Sequence, residues 1–571
     1  MAFLQTENLS FAYPDNGTAD SGAKVLDNIN ITAERGELIL ICGSSGSGKT
    51  TLLRLLKPVI APFGRRSGRI IYDGVDISAL DSRRHELVRA AVSEIGYVGQ
   101  DPNAGAVTDT VIAELAYLPE NSGLPRGTIM RRIAELSAYF GLEHIIDRKI
   151  SELSAGQKQL VQLAGVMSVS PALLLLDEPT AQLDPHSAEV FRNIILKIRA
   201  ELGTAVIICE HDIKGLWHHQ QWRGGCDRVL YLENGRQSFF LPPAQAAERL
   251  CGTPAESALP CCYRLSAAMG LDKPLKDSAA ARSFLLENKP APLHEKEVYQ
   301  PDKEIAVRLK NIRFGYTRHG REVLAGVTLS VPKGSITAVF GANGTGKSTL
   351  LKMIAGVYRP IEGSAEIFGK RVKNYHAAAM LPQDPHLILT EKTLFEDIKR
   401  GGIAFGNGIA FGNGNIPDIE GEIMRLAEAL GLSAETLGRY HYDVSGGELQ
   451  RAALMKLLIK KPRLLLLDEP EKGLDCENKM RLTGLLKRFA AEGGTVIFVT
   501  HDAEFAAETA DSAVMMFGGI CAVHEPINDF LSGNELFTTE AARIARGIIE
   551  GCVTAGQLID CCRRGLTSCN E

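Results

Sequence analysis

Two stretches of this chain, Gly43–Thr50 and Gly341–Ser348, share the spacing G-x-x-x-x-G-K-[S/T]. Backbone N–H groups of such a loop point inward and cradle phosphate oxygens, and glycine lets the main chain approach that closely. In the first loop the cradle is Gly43, Ser44, Ser45, Gly46, Ser47 and Gly48, with Lys49 reaching toward the β- and γ-phosphates and Thr51 an adjoining nucleotide contact. In the second it is Gly341, Ala342, Asn343, Gly344, Thr345 and Gly346, followed by Lys347 and Thr349. The hydroxyls of Thr50 and Ser348 are hard oxygen ligands suited to Mg²⁺.

Downstream of each loop four leucines lead into an acidic pair, Asp177-Glu178 and Asp468-Glu469. A run of leucines that short reads as a parallel strand buried on both faces, ending where α/β sheets bind ligands. The aspartate is the expected Mg²⁺ contact, and Glu178 or Glu469 the group that polarises the attacking water. His211 follows the strand text AVIICE and His501 follows TVIFVT, which places each at another strand end in the same crevice, to contact the γ-phosphate. A lone histidine is more often structural. Its recurrence as His-Asp after a matched strand in both halves reverses that preference.

The elements needed to hold these groups are legible twice. Alternating strand text near residues 9–15 and 312–318 precedes a buried apolar strand that runs into each glycine loop, and a helix follows near Lys49 and Lys347. Helical periodicity returns between Gln100 and Leu153 and again from Ile419 to Leu432, which predicts small helical lobes inserted into an α/β core. A tandem IAFGNG repeat (403–414) reads as a surface loop. The proline- and charge-rich stretch 287–304 divides the chain into a first domain over 1–286 and a second over 305–571, each with a helical C-terminal extension.

With 571 residues, 45% hydrophobic and 23% charged, the chain exceeds what one core accommodates. A net charge of -5 argues against a dominant grip on nucleic acid. The N-terminal text lacks the basic flank and apolar run of a secretory leader, which predicts a cytoplasmic product. The uncharged stretch nearest to a membrane span, 159–176, is interrupted by Gln162, Ser168, Ser170 and Pro171 and reads as helix, turn and strand. Twelve cysteines show no metal-ligand spacing and read as reduced thiols, Cys552, Cys561, Cys562 and Cys569 included.

The sequences LSAGQ (153–157) and VSGGE (444–448), each between a glutamine and the leucine-rich strand, resemble the signature of ATP-binding cassette (ABC) ATPases over most of the chain. The resemblance implies two P-loop NTPase domains of α/β class. Each has a RecA-like, mostly parallel sheet core, an antiparallel β subdomain and a helical subdomain. It also implies two ATP-Mg²⁺ sites formed head to tail. One would join the first P-loop, Gln100, Asp177, Glu178 and His211 with Ser445, Gly446, Gly447 and Glu448. The other would join the second P-loop, Gln383, Asp468, Glu469 and His501 with Ser154, Ala155, Gly156 and Gln157. In the family the two glutamines also meet Mg²⁺, Tyr13 and Tyr316 fall where an aromatic stacks on adenine, and Asp184 and Asp475 match the interface D-loop. Ala155, Val444 and Glu448 depart from the usual signature, and Glu448 adds a negative charge near the nucleotide.

Gln100-Asp-Pro, Val111, Glu114 and the PENSGL text at 119–124 are similar to the corresponding region of energy-coupling factor (ECF) ATPases. That similarity implies a peripheral subunit on the cytoplasmic face of a membrane. Its partners would be a transmembrane scaffold and a small membrane protein that captures a vitamin or metal ion, with no nucleic acid. A soluble tandem ABC ATPase acting on the ribosome or nucleic acid is the rival reading. It fits less well here, because the linker is short and mixed in charge and no N-terminal cysteine cluster is present.

Overall fold

The computed structural model describes residues 3–14, 24–78, 93–102, 105–210, 213–217, 225–293, 304–317, 320–371, 378–403 and 418–568. His211, residues 404–414 of the glycine- and asparagine-rich repeat, and Cys569 lie outside them. The chain divides into two compact units, Met1–Pro260 and Cys261–Glu571.

In the first unit the strands Arg228–Glu233, Leu38–Gly43, Ala205–Cys209, Leu173–Asp177 and Ile95–Val98 lie side by side, all parallel. Antiparallel strands Leu4–Ala12, Lys24–Ile29 and Arg65–Tyr72 extend the same sheet through the single pairing Arg236↔Asp27. The second unit repeats the parallel order with Ser512–Phe517, Ile336–Phe340, Thr495–Val499, Leu464–Asp468 and Ala378–Leu381. Its antiparallel strands, including Ile305–Phe314, Leu324–Pro332 and Glu362–Ile367, form a separate four-stranded sheet.

The leucine runs explain the layering. Successive strand side chains point to opposite faces. Leu464 and Leu466 pack with Leu350 and Leu351 of the helix Lys347–Ile354, whereas Leu465 and Leu467 pack with Leu449, Ala452 and Ala453 of the helix Gly446–Leu458. All four are fully buried, as are Leu173–Leu176 in the first unit. One strand therefore glues the P-loop helix to one face and the signature helix to the other.

The expected helical lobes are present. Val111–Asn121, Arg126–Phe140 and Ala155–Met167 form the first, and Leu394–Ile403, Ile419–Leu430 and Gly446–Leu458 the second. Buried carboxylates shape their entry loops. Glu114 accepts hydrogen bonds from the N–H groups of Val107 (3.1 Å) and Thr108 (2.9 Å) and from the Thr108 hydroxyl (2.9 Å). Asp397 likewise accepts from the N–H groups of Thr390 and Glu391 and is paired with Lys456 at 2.7 Å.

The division at Pro260 differs from the boundary read from the sequence at 287–304. Helices Cys261–Ala268 and Ser278–Asn288 pack with Glu540–Ala545 and Ala555–Ser568 in the second unit. Arg282 donates to the carbonyls of Ile544 (3.1 Å) and Arg546 (2.6 Å) at the C-terminal end of Glu540–Ala545, where a cation is favoured. Glu540 accepts from the Cys261 N–H at 2.8 Å. These bonds join segments more than 260 residues apart, and no local pattern announces them.

Candidate nucleotide-hydrolysis site

Each glycine loop leaves the C-terminal end of a central parallel strand and enters a helix, Lys49–Leu55 or Lys347–Ile354. Gly43 and Gly341 have φ of 151° and 150°. A Cβ at Gly43 would stand 2.2 Å from the Leu232 carbonyl oxygen, and one at Gly341 2.5 Å from that of Met516. The neighbouring strand therefore demands glycine at both places. Lys49 is buried and donates to the carbonyls of Gly43 and Ser44, both at 2.9 Å. Lys347 does the same to Gly341 (2.8 Å) and Ala342 (3.0 Å).

The acidic strand ends lie against these loops. The Thr50 hydroxyl donates to Asp177 Oδ1 at 3.0 Å, and the Ser348 hydroxyl donates to Asp468. Burial pushes both aspartates above the usual carboxylate range, opposed by those hydroxyls. A buried carboxylate beside a hydroxyl is a hard-oxygen set that fits Mg²⁺, whose bound charge would offset the burial. Glu178 and Glu469 both occupy left-handed backbone, φ 46° and 52°, and each N–H donates at 3.0 Å to the next strand, to Cys209 and Val499 respectively. The same uncommon conformation at a non-glycine residue, twice, aims both carboxylates by backbone constraint. Gln100 donates to Glu178 at 2.8 Å and Gln383 to Glu469 at 3.0 Å. His501 Nε2 stands 3.6 Å from Glu469 Oε1.

A family model for the ABC transporter matches residues 26–181 and 324–472, which span both P-loops, both glutamines and both acidic pairs. The chain belongs to this family. Relatives agree: a Bacillus cereus protein provisionally named an ABC transporter ATP-binding protein is 34% identical, with 98% of each chain covered. Among solved structures, that of an archaeal ribosome recycling factor, in complex with a ribosomal stalk protein, is similar with TM-score 0.56 at 22% identity, covering 89% of this chain and 90% of that one. The structure of cbiO1 from Clostridium perfringens, part of the ABC transporter complex cbiONQ, has TM-score 0.37 at 29% identity, covering 44% of this chain and 94% of that chain. The protein is a tandem ABC ATPase, an ATP-hydrolysing module with two P-loop domains.

The ABC signatures open the helices Ala155–Met167 and Gly446–Leu458 with full capping boxes. Ser154 Oγ accepts from the Gln157 N–H while Gln157 accepts from the Ser154 N–H, and Ser445 and Glu448 repeat the exchange. Glu448 also accepts from the Ser445 hydroxyl at 2.8 Å, so its charge folds back on its own helix end. Ala155 is exposed, so its extra methyl costs no space within its cassette, whereas Gly156 and Gly447 are buried against Ser187 and Gly473. Asp184 and Asp475 cap the next helices, Pro185–Leu202 and Cys476–Ala491. Tyr13 and Tyr316 are tethered to the P-loop helices through Thr51 (3.2 Å) and Thr349 (2.8 Å), with their rings substantially exposed.

Several residues of this site carry no motif. Tyr97 donates to Asp177 at 3.1 Å and accepts from Arg54, and burial raises its own hydroxyl to about 12. The second cassette has Met380 and Lys352 at these positions, fixed by strand register and by distance from the P-loop lysine. Lys472 stands 3.4 Å from Glu469, where the first cassette has Ala181. Comparing the halves position by position would have exposed these differences, but a motif scan passes over them. Among the described residues no group of three or more His, Cys, Asp or Glu side chains is arranged to hold a metal ion. Burial raises the Cys552 and Cys562 thiols to about 12 and about 11.

Proposed function

We propose that this tandem ATPase powers a membrane importer of the ECF type, taking up a vitamin or metal ion through membrane partners. The observation that carries the reading is that relatives bearing an ABC transporter ATP-binding name cover 98% of both chains, extensions included. The ECF-like text at Gln100–Leu124 supports the subclass. No helix among the described residues is long and apolar enough to cross a membrane, so the solute path in this reading belongs to partner proteins.

In the proposed cycle Lys49 and Lys347 leave the loop carbonyls for phosphate oxygens. Thr50, Asp177 and Gln100 would hold Mg²⁺ in one site, and Ser348, Asp468 and Gln383 would hold it in the other. Glu178 and Glu469 orient and deprotonate the attacking water, and His211 and His501 contact the γ-phosphate. Mg²⁺ supplies charge neutralisation at the phosphates. Tyr13 and Tyr316 offer ring faces to adenine. The signature residues Ser154–Gln157 and Ser445–Glu448 complete the site of the opposite P-loop, as the family resemblance implies.

A second reading, a tandem ATPase acting on the ribosome or nucleic acid, is favoured by the breadth of the likeness to the archaeal recycling factor. At 22% identity that likeness speaks to the fold alone. Mild detergent extraction of the tagged protein from its native cells, with mass spectrometry of what copurifies, separates the two. Small multi-span membrane proteins are the expected result. Ribosomal proteins or rRNA without a membrane partner would overturn the importer reading.

A further inference from the structure

Two positions beside the proposed water-activating glutamates are exchanged between the cassettes. Three residues after the strand-end aspartate stands Thr180 in the first and Glu471 in the second. Immediately before the histidine stands Glu210 in the first and Thr500 in the second. Strand register confirms the equivalence, since Asp177 pairs with Cys209 and Asp468 with Val499. All four side chains are buried.

In the first cassette Glu210 accepts a hydrogen bond from the Thr180 N–H at 3.1 Å. In the second the Thr500 hydroxyl donates to the Glu471 carboxyl. The two contacts run between the same two segments with the carboxyl contributed from opposite sides. One segment is the turn two residues past Glu178 or Glu469, and the other is the residue before His211 or His501. Two carboxyls there would crowd two buried acids together, and two threonines would leave the turn without its carboxyl anchor. Each cassette has one of each.

We infer that this Thr–Glu pair is an interchangeable positioning device that locks the turn bearing the water-activating glutamate onto the strand end bearing the histidine. It rests on the glutamate and histidine roles proposed above. Its function is to hold the glutamate in its left-handed backbone conformation. The pair touches no reacting atom, and its effect is on turnover rather than on nucleotide capture.

The test compares two full-length proteins with the parent. In the first, Glu210→Thr and Glu471→Thr together reduce both pairs to Thr–Thr. In the second, Thr180→Glu, Glu210→Thr, Glu471→Thr and Thr500→Glu exchange the pair in both cassettes. Changing both cassettes at once makes the result independent of whether the two sites hydrolyse separately. Steady-state kcat and KM for Mg-ATP are measured, with circular dichroism and binding of a fluorescent ATP analogue as checks on folding. The Thr–Thr protein is expected to lose at least tenfold in kcat with KM within about twofold, and the exchanged protein to return to within about threefold of the parent. A Thr–Thr protein with parental kcat, or an exchanged protein that is unfolded or as slow as the Thr–Thr protein, would overturn the inference. A parent without ATPase activity would instead refute the hydrolytic reading itself.

Discussion

Tyr97 offers a quantitative test of how the first cassette holds its strand-end carboxylate. Its hydroxyl lies 3.1 Å from Asp177 Oδ2, Thr50 occupies the other oxygen at 3.0 Å, and Asp177 is only 3% exposed. A hydrogen bond to a charged, buried acceptor contributes about 1.5–3 kcal/mol. Arg54 also donates to Tyr97, and some of that bond is recovered as the arginine readjusts, so the lower end applies. Tyr97→Phe keeps the ring and its packing while freeing one oxygen of Asp177 to rotate. At about 1.4 kcal/mol per decade, the Mg²⁺ concentration for half-maximal nucleotide binding at the first site should rise about tenfold. The assay is Mg²⁺ titration of fluorescent ATP-analogue binding in a Lys347→Ala background, which disables the second P-loop. Met380→Phe, in a Lys49→Ala background, is the matched control and should shift the second site by less than twofold, because no hydroxyl is lost there. A Tyr97→Phe midpoint within twofold of its parent would refute the argument that this bond fixes Asp177.

Glu178→Gln and Glu469→Gln should each lower turnover by roughly two orders of magnitude or more while ATP binding is retained, since loss of a general base costs about that much. Parental turnover in both variants would remove the base assignment. Burial and the nearby Asp502 push the Glu471 carboxyl up to about 8 from 4.5, against the Thr500 hydroxyl. Raised in the folded state, this acid contributes stability that is complete below its unfolded value and lost as pH rises toward 8. Calorimetry should therefore find Glu471→Gln near parental stability at pH 5 and more stable at pH 8, by up to roughly 4 kcal/mol in the second unit. A difference that does not grow with pH would contradict it. Gly43→Ala, with its Cβ 2.2 Å from the Leu232 oxygen, should destabilise the first unit by about 3 kcal/mol. Gly46→Ala meets nothing within 4 Å, so only its φ of 79° counts, about 1–2 kcal/mol. Equal melting shifts for the two would refute this ranking.

The sequence by itself determined everything set by short spacing. Glycine, lysine and hydroxyl at fixed intervals define a loop around phosphate. The Leu173–Asp177 and Leu464–Asp468 runs define central strands. The tertiary structure decided what depends on partners remote in the chain. It set the placement of Cys261–Asn288 with the C-terminal helices of the second unit. It also set the contact of Tyr97 with Asp177 across 80 residues, and the carboxyl that changes sides between Thr180–Glu210 and Glu471–Thr500. Glu448 shows the difference within one motif. Its charge is visible in the sequence, but only the fold shows that it is spent on the Ser445 helix end. Periodicity and spacing encode what a segment does with its own backbone, whereas a buried polar group must be satisfied by whichever distant group the packing brings to it.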